Sequence, residues 1–402
     1  MSRAGVALSD AITWVGAVDW TVRDFHSFAT PRGATYNAYL VADEQPALID
    51  TVKAGFAPQL LAHIRERLPL ESVRYVVCNH AEPDHAGALP AVLAALPNAE
   101  VVCNAKCKDT LARYADISAW RFRIVRSGDT LCLGKQTLSF LDTPMLHWPE
   151  SMATFAREDG VLFCMDAFGQ HLATSERFDD ECAPELVQSE AKAYYANILM
   201  PFGRGVLGLL DKLAPLAPRL LATSHGLIWR GHVAEILAAY RAWASATPSA
   251  KVVVAYDTMW GATEQIAQAI ADGAAKTGAA VRVFALRDSA LSDIATEVLD
   301  AAAVAIGSAT LNAAPMPMVA ALLSYLKGLR PQGKVGFAFG SYGWGRGGPE
   351  GIDEALREMK LEPLGEPLRV AYRADQEALA RCHAAGVLLG ERALAAARAT
   401  PN

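Results

Sequence analysis

From Lys251 onward the chain alternates short, largely apolar runs with stretches of helical period. The order is KVVVAY, a helix near 263–277, VRVFAL, a helix near 291–298, AAVAIG, a helix near 317–328, KVGFAFG, a helix near 350–360, LRVAY and a last helix near 375–397. Runs that stay apolar at consecutive strand positions need cover on both faces, so five of them read as a parallel sheet between two layers of helix. Right-handed crossovers then place any ligand at the carboxyl ends of those strands. Before residue 244 the pattern differs. Short strands such as TYNAYLVA, PALIDT, VRYVVCN, AEVVCN, RFRIV, TLSFLDT, ATFARE and GVLFCM are interleaved with helices near 55–67, 86–96, 105–114 and 183–213, which suggests stacked sheets with helices outside. The small, polar, proline-bearing segment ASATPSA at 244–250 separates the two patterns. A chain of 402 residues is long enough for two cores, and the expected division is 1–248 and 249–402.

Composition narrows the class of partner. With a net charge of −6 and 20% charged residues there is no basic surface to argue for nucleic acid. Asp10 interrupts the apolar N-terminus, and no apolar run approaches the roughly 18 residues of a membrane span. A cytoplasmic protein is expected. The seven cysteines are scattered, several of them inside apolar strands, and read as buried reduced thiols. Cys103 and Cys107 form one C-x₃-C pair with no second pair to complete a zinc or rubredoxin-type centre.

The segment CNHAEPDHAG follows the apolar run VRYVV and puts His80, Glu82, Asp84 and His85 on a strand-end loop just before a helix. Four imidazole and carboxylate groups within six residues suit iron, manganese or zinc. His147 in MLHWPES, Asp166 in LFCMDAFG and His225 in LATSHG sit at comparable strand ends. An aspartate after a strand is ordinarily a turn or capping residue, so these three carry weight only together.

In the second half KVVVAY runs into Thr258, Met259, Trp260, Gly261, Ala262 and Thr263, opening a helix. Hydroxyls and free backbone amides at a helix N-terminus make an anion site suited to a monophosphate. The loop matches neither the dinucleotide nor the nucleoside-triphosphate glycine pattern. GSATLNAAP, with Thr310, Leu311 and Asn312, and GSYGWGRGG, with Ser341, Tyr342, Gly343 and Trp344, end the third and fourth strands. Glycine permits close approach to a flat ring and the aromatics can cover it, so an FMN pocket is expected.

The ligand loop, followed by a distant His, Asp and His, resembles the metallo-β-lactamase fold over about residues 30–245, with Glu82 where most hydrolases of that fold have histidine. The second half resembles flavodoxin. The fold class implied is α/β, an N-terminal metallo-β-lactamase-like αββα sandwich followed by a flavodoxin-like doubly wound parallel sheet. Together they resemble the flavodiiron protein family, the A-type flavoproteins, also in TPRGATYNAYLV, HWPESM, YYANILMPF and YDTMWGATE. The resemblance implies two irons and FMN, and reduction of dioxygen to water, of nitric oxide to nitrous oxide, or both. By matched position, His80, Glu82 and His147 hold one iron, Asp84, His85 and His225 the other, and Asp166 bridges. It further implies an external donor such as rubredoxin and a head-to-tail homodimer or dimer of dimers. His26 and Tyr195 are candidates to stand behind the open site, whereas His171 is expected at the surface. Two other readings stay open: a zinc hydrolase fused to a regulatory flavodoxin-like module, and a flavin electron carrier without catalysis at the metal site.

Overall fold

A computed structural model describes residues 5–399. Contacts group them into two compact units, one of residues 5–26, 30–195 and 204–241 and the other of 27–29, 196–203 and 242–399. The helix Val233–Ala244 and the strand Ser249–Asp257 bracket the segment expected to divide the chain.

The first unit is built on two sheets. One runs Val6–Ala7, Ile12–Trp14, Tyr39–Val41, Ala47–Ile49, Tyr75–Val77, Glu100–Cys103, Phe122–Ile124 in spatial order, antiparallel at its start and parallel from Ala47–Ile49 onward. The other runs Thr130–Cys132, Thr137–Asp142, Met152–Ala156, Val161–Met165, Leu220–Thr223. Strand side chains alternate between faces, and here the alternation sorts residues into two cores. Tyr39, Val41, Ile49, Val77 and Val102 meet Leu138, Phe140, Phe163 and Ala222 between the sheets. Leu40, Leu48, Val76 and Val101 face the other way, onto Leu60, Ile64, Leu89, Val92 and Leu111 of the covering helices.

Two expected elements divide. TYNAYLVA forms two strands, Ala34–Tyr36 paired with Ala17–Asp19, and Tyr39–Val41 in the large sheet. Asn37 breaks it, because its side chain accepts from Trp14 Nε1 at 2.8 Å and donates to the carbonyls of Thr223 and Gly226 at 2.9 and 3.0 Å. The expected helix over 183–213 is Pro184–Tyr194, a π turn Tyr195–Leu199, a 3₁₀ turn Met200–Phe202 and a helix Gly203–Leu213. Pro201 lacks the amide a continuous helix would use there. Of the cysteines, all free thiols, Cys132 is exposed at the sheet edge and Cys182 half-buried, contrary to the expectation of uniform burial.

In the second unit five parallel strands lie in the order Ala280–Ala285, Ser249–Asp257, Ala301–Leu311, Val335–Tyr342, Leu368–Ala371. In sequence order this is 2-1-3-4-5, the flavodoxin-like arrangement, with its reversal between the first and third strands. Val252 and Val254 pack under Ile266, Ile270 and Leu389, while Val253 and Ala255 pack under Ile294, Val319 and Ile352. The terminal helix Gln376–Ala399 lies on Ala262–Lys276 so closely that a Cβ on Gly386 would stand 2.0 Å from Ile270 O, and one on Gly273 2.0 Å from His383 O. Gly386→Val should therefore destabilise this unit by about 1–3 kcal/mol, the usual range for overpacking. Chemical denaturation followed by circular dichroism measures it, and an unchanged midpoint would contradict the close packing.

Candidate metal centre and flavin cavity

The ligand loop owes its shape to a change of backbone. Tyr75–Val77 ends, Glu82 is extended (φ −61°, ψ 143°), and Pro83 opens a short helix Pro83–Ala86. Proline suits the first helical position because its φ is already helical. His80 and Glu82, two residues apart, fall on one side, His80 Nε2 being 3.1 Å from Glu82 Oε2, and the helical turn then carries Asp84 and His85 into the same space. His147 is set by the loop after Thr137–Asp142, which is closed by Thr143 N to Ser151 O at 2.9 Å and Met145 N to Trp148 O at 2.8 Å. A register shift at Phe163/Met165 precedes Asp166, and bulges of this kind re-aim the residue that follows. His225 follows Leu220–Thr223.

All seven expected ligands converge, and all but His147 are buried. Asp166 is central. Its Oδ2 lies 3.4 Å from His80 Nε2 and 3.3 Å from His147 Nε2, and its Oδ1 lies 3.2 Å from His85 Nε2 and 3.4 Å from His225 Nε2. Glu82 Oε2 is 3.1 Å from His147 Nε2, and Asp84 Oδ2 is 3.1 Å from His225 Nε2. Two groups, His80, Glu82, His85 and Asp166, and Asp84, His85 and His225, each bring their ligand atoms within 4.8 Å of one another. Both oxygens of Asp84, Oδ2 of Asp166 and Nε2 of His85 are buried without a hydrogen-bond partner among the described residues. Buried polar atoms are nearly always satisfied, so orphaned carboxylate and imidazole atoms facing one space fit cations.

The protonation states carry the same message. Burial would raise Asp166, but His85 and contacts with His147 and His225 outweigh it and hold the carboxyl well below its usual range. Glu82 is likewise lowered, by His147 and His80 against burial. Burial would lower His147 and His225, yet Asp166 with Glu82 or Asp84 lifts them to about 9 and about 10. Protons on imidazole thus neutralise the carboxylates where metal ions would.

Several supporting groups surround the ligands. Glu150 Oε1 is 2.9 Å from His80 Nδ1, and Thr35 O is 2.7 Å from His225 Nδ1, which turns each Nε2 inward. His26 Nε2 lies 3.0 Å from Glu82 Oε1, with a side chain 68% exposed. The hydroxyl that donates to Asp166 Oδ1, at 2.9 Å, belongs to Tyr194 rather than to Tyr195, which meets Tyr240 edge-on. Adjacent helical residues point about 100° apart, and YYANILMPF alone does not say which tyrosine faces inward. His171 corrects the sequence expectation. It is fully buried, its ring 5.3 Å from His225, 5.0 Å from Tyr194 and 5.2 Å from Phe25, and burial and the His225 charge push it down to about 3.

In the second unit a cavity of about 920 Å³ opens at the carboxyl ends of the strands. Its wall includes nine expected residues: Met259, Trp260 and Ala262 from the first loop, Thr310 and Asn312 from the second, and Ser341, Tyr342, Gly343 and Trp344 from the third. Trp260 and Trp344 are 95% and 96% exposed, large aromatic faces with little of this chain over them. Thr258, Gly261, Thr263 and Leu311 are not on the wall. Thr263 instead hydrogen-bonds Ser341 at 2.9 Å, Gly261 (φ 79°) opens the helix Ala262–Lys276 without a side-chain cap, and Leu311 ends its strand opposite Ala314. The Thr258 hydroxyl is buried with no hydrogen-bond partner among the described residues, as an anion site at that helix end requires. Gln265, Ala309, Ala313, Gly345, Tyr372 and Arg373 also line the cavity and were not expected. Tyr372 and Arg373 follow the fifth strand, so the strand-end rule used for the other loops reaches them as well.

Residues 34–226 match the family model described as ODP family beta lactamase, and residues 254–386 match that of flavodoxin. The chain is 45% identical over 393 residues to a nitric oxide reductase of Moorella thermoacetica, covering 96% of this chain and 98% of that one. It is 38% identical to the anaerobic nitric oxide reductase flavorubredoxin of Escherichia coli, covering 95% of this chain and 81% of that one. Among solved structures it superposes on the flavodiiron protein from Giardia intestinalis with a TM-score of 0.96 at 37% identity, covering 98% of each chain. Rubredoxin oxygen:oxidoreductase from Desulfovibrio gigas gives 0.96 at 35% identity, covering 98% of this chain and all of that one. A β-lactamase-like unit carrying a buried His, Asp and Glu cluster, followed by a flavodoxin unit, over nearly the whole length of such relatives, makes this chain a member of the flavodiiron protein family and an oxidoreductase.

Proposed function

We propose that the cluster in residues 1–248 holds two irons, that the cavity in 249–402 holds FMN, and that the chain reduces dioxygen to water, nitric oxide to nitrous oxide, or both. The observation that carries this is Asp166, whose two oxygens face two separate sets of nitrogens. His80, Glu82 and His147 would hold one ion, Asp84, His85 and His225 the other, with Asp166 shared. Three carboxylates beside four imidazoles suit iron better than the nitrogen-rich sets typical of zinc. When bound, the irons supply electrons and open coordination positions to a diatomic gas, and FMN replenishes the electrons.

The protein's own groups have distinct tasks. Tyr194 fixes the orientation of the shared carboxylate through Oδ1. His171, buried and uncharged, and the half-buried ring of Phe25 close the wall beside His225 and keep bulk water out. His26, exposed and in contact with Glu82, is placed to bring protons from solvent to the site, and both reductions consume them. In the flavin unit Thr258 and the uncapped amides of Ala262–Lys276 would take the phosphate, and Trp260, Tyr342 and Trp344 the ring. A rubredoxin-like donor and a head-to-tail dimer complete the reading. Sedimentation of the loaded protein tests the second, a monomer contradicting it. Among the described residues no helix is long and apolar enough to cross a membrane.

Asp166→Ala and His147→Asn should each lower gas reduction to below about a hundredth of the parent rate, the loss usual when a group that organises reacting charge is removed. The flavin spectrum should stay intact, and parental turnover in both variants would overturn the assignment. Thr258→Val should weaken FMN binding about tenfold or more, since a hydrogen bond to a charged group contributes about 1.5–3 kcal/mol. Quenching of flavin fluorescence on titration into apoprotein reads this, and equal affinity would remove Thr258 from the phosphate site.

Because His147 and His225 titrate near 9 and 10 in the metal-free fold, both carry protons at neutral pH that metal must displace. Anaerobic loading with ferrous iron at pH 7 in weak buffer should release at least two protons per chain, and no release would contradict the protonated cluster. The raised values also stabilise the metal-free fold fully below about pH 6.5. That contribution should disappear as pH rises through 9 and 10.

A further inference from the structure

The two sets of ligands are not supported alike from behind. Nδ1 of His225 meets the carbonyl oxygen of Thr35, a neutral partner. Nδ1 of His80 meets a carboxylate, Glu150 Oε1, and that residue is 1% exposed. The same oxygen lies 3.2 Å from the amide of Ala81, and the Glu150 carbonyl accepts from Asn104 Nδ2 at 2.7 Å. Asn104 is itself fixed as the cap of Ala105–Tyr114, where its side chain accepts from Cys107 N at 2.9 Å. Glu150 is therefore tied on both its side chain and its backbone, and it stands three residues from His147, a ligand of the same set as His80. It links the two loops that supply that set.

A carboxylate behind a metal-binding imidazole makes the inner nitrogen a stronger donor and favours the higher charge on the ion, whereas a peptide carbonyl does so less. Both sets share Asp166, and each has one carboxylate of its own, Glu82 or Asp84. Glu150 adds a further buried anion on the His80 side. We propose that Glu150 is a positioning residue that makes the two metal positions unequal, so that the iron held by His80, Glu82 and His147 is the first to give up its electron. The step is Fe²⁺ to Fe³⁺ with one electron passing to the gas or, in a titration, to a mediator. This rests on the di-iron reading above.

The test is a redox titration of the iron- and FMN-loaded protein followed by electron paramagnetic resonance, for the parent, Glu150→Gln and Glu150→Asp. The parent should show two separate iron potentials. Glu150→Gln should raise the lower toward the upper while leaving the upper and the flavin potentials in place, and Glu150→Asp should restore most of the separation. Loss of one iron in the glutamine variant, with both retained by the aspartate variant, also supports the assignment. An unmoved lower potential in Glu150→Gln with two irons bound overturns it, as does an equal rise of both potentials or loss of iron from both variants. A parent that does not bind two irons would instead overturn the di-iron reading, before any variant is compared.

Discussion

Three carboxylates gathered around one cluster of imidazoles in the interior are the constraint on which the first unit depends. Glu82, Asp84 and Asp166 are at most 6% exposed, and atoms of the latter two have no hydrogen-bond partner among the described residues. Carboxylates so placed demand compensating positive charge, because an unpaired buried ion is destabilising by several kcal/mol. The imidazoles of His80, His147 and His225 meet that demand by holding protons, and two metal ions would meet it better, since they would also satisfy the orphaned oxygens. The sandwich serves this arrangement by ending four strands, Tyr75–Val77, Thr137–Asp142, Val161–Met165 and Leu220–Thr223, at loops that converge on one space. Glu150, Thr35 and Tyr194 then hold the rings of His80 and His225 and the Asp166 carboxylate in orientation.

The flavin unit solves a different problem with different means. Its ligand is a flat ring with a monophosphate, and what it offers is backbone amides, one buried hydroxyl and exposed aromatic faces. Apart from Arg373 the cavity lining is uncharged, and the cavity is fixed by the strand order and by close approach of loops. A Cβ on Gly347 (φ 134°), for example, would stand 2.0 Å from Ala313 O, so the loop after the fourth strand can lie directly on the loop after the third only through glycine. Oxidoreductase chemistry follows from joining a unit that manages charge to one that manages electrons.

Much of this was legible in the residues because it is local. Ligands crowded into CNHAEPDHAG, apolar strands and hydroxyl-rich strand ends declare themselves within a few positions. What escaped depends on contacts distant in sequence. His171 resembles a surface histidine until the fold sets it among Phe25, Tyr194 and His225. The choice between Tyr194 and Tyr195 turns on a helical rotation, and the division of TYNAYLVA on bonds from Asn37 to residues about 190 positions away. Glu150 reads as part of a loop motif and becomes a support for His80 only because two loops 70 residues apart meet.

The central claim, that the two units form one gas-reducing machine, is tested most directly by mixing the fully reduced protein anaerobically with dioxygen or nitric oxide in a stopped-flow instrument. Two ferrous ions and a two-electron-reduced flavin hold four electrons, enough to take one dioxygen to water. Expected is reoxidation of iron and flavin in step with loss of one or both gases, giving water or nitrous oxide as product. Flavin that stays reduced against both gases, or protein isolated with zinc in both positions and hydrolysing esters or lactams, would contradict it.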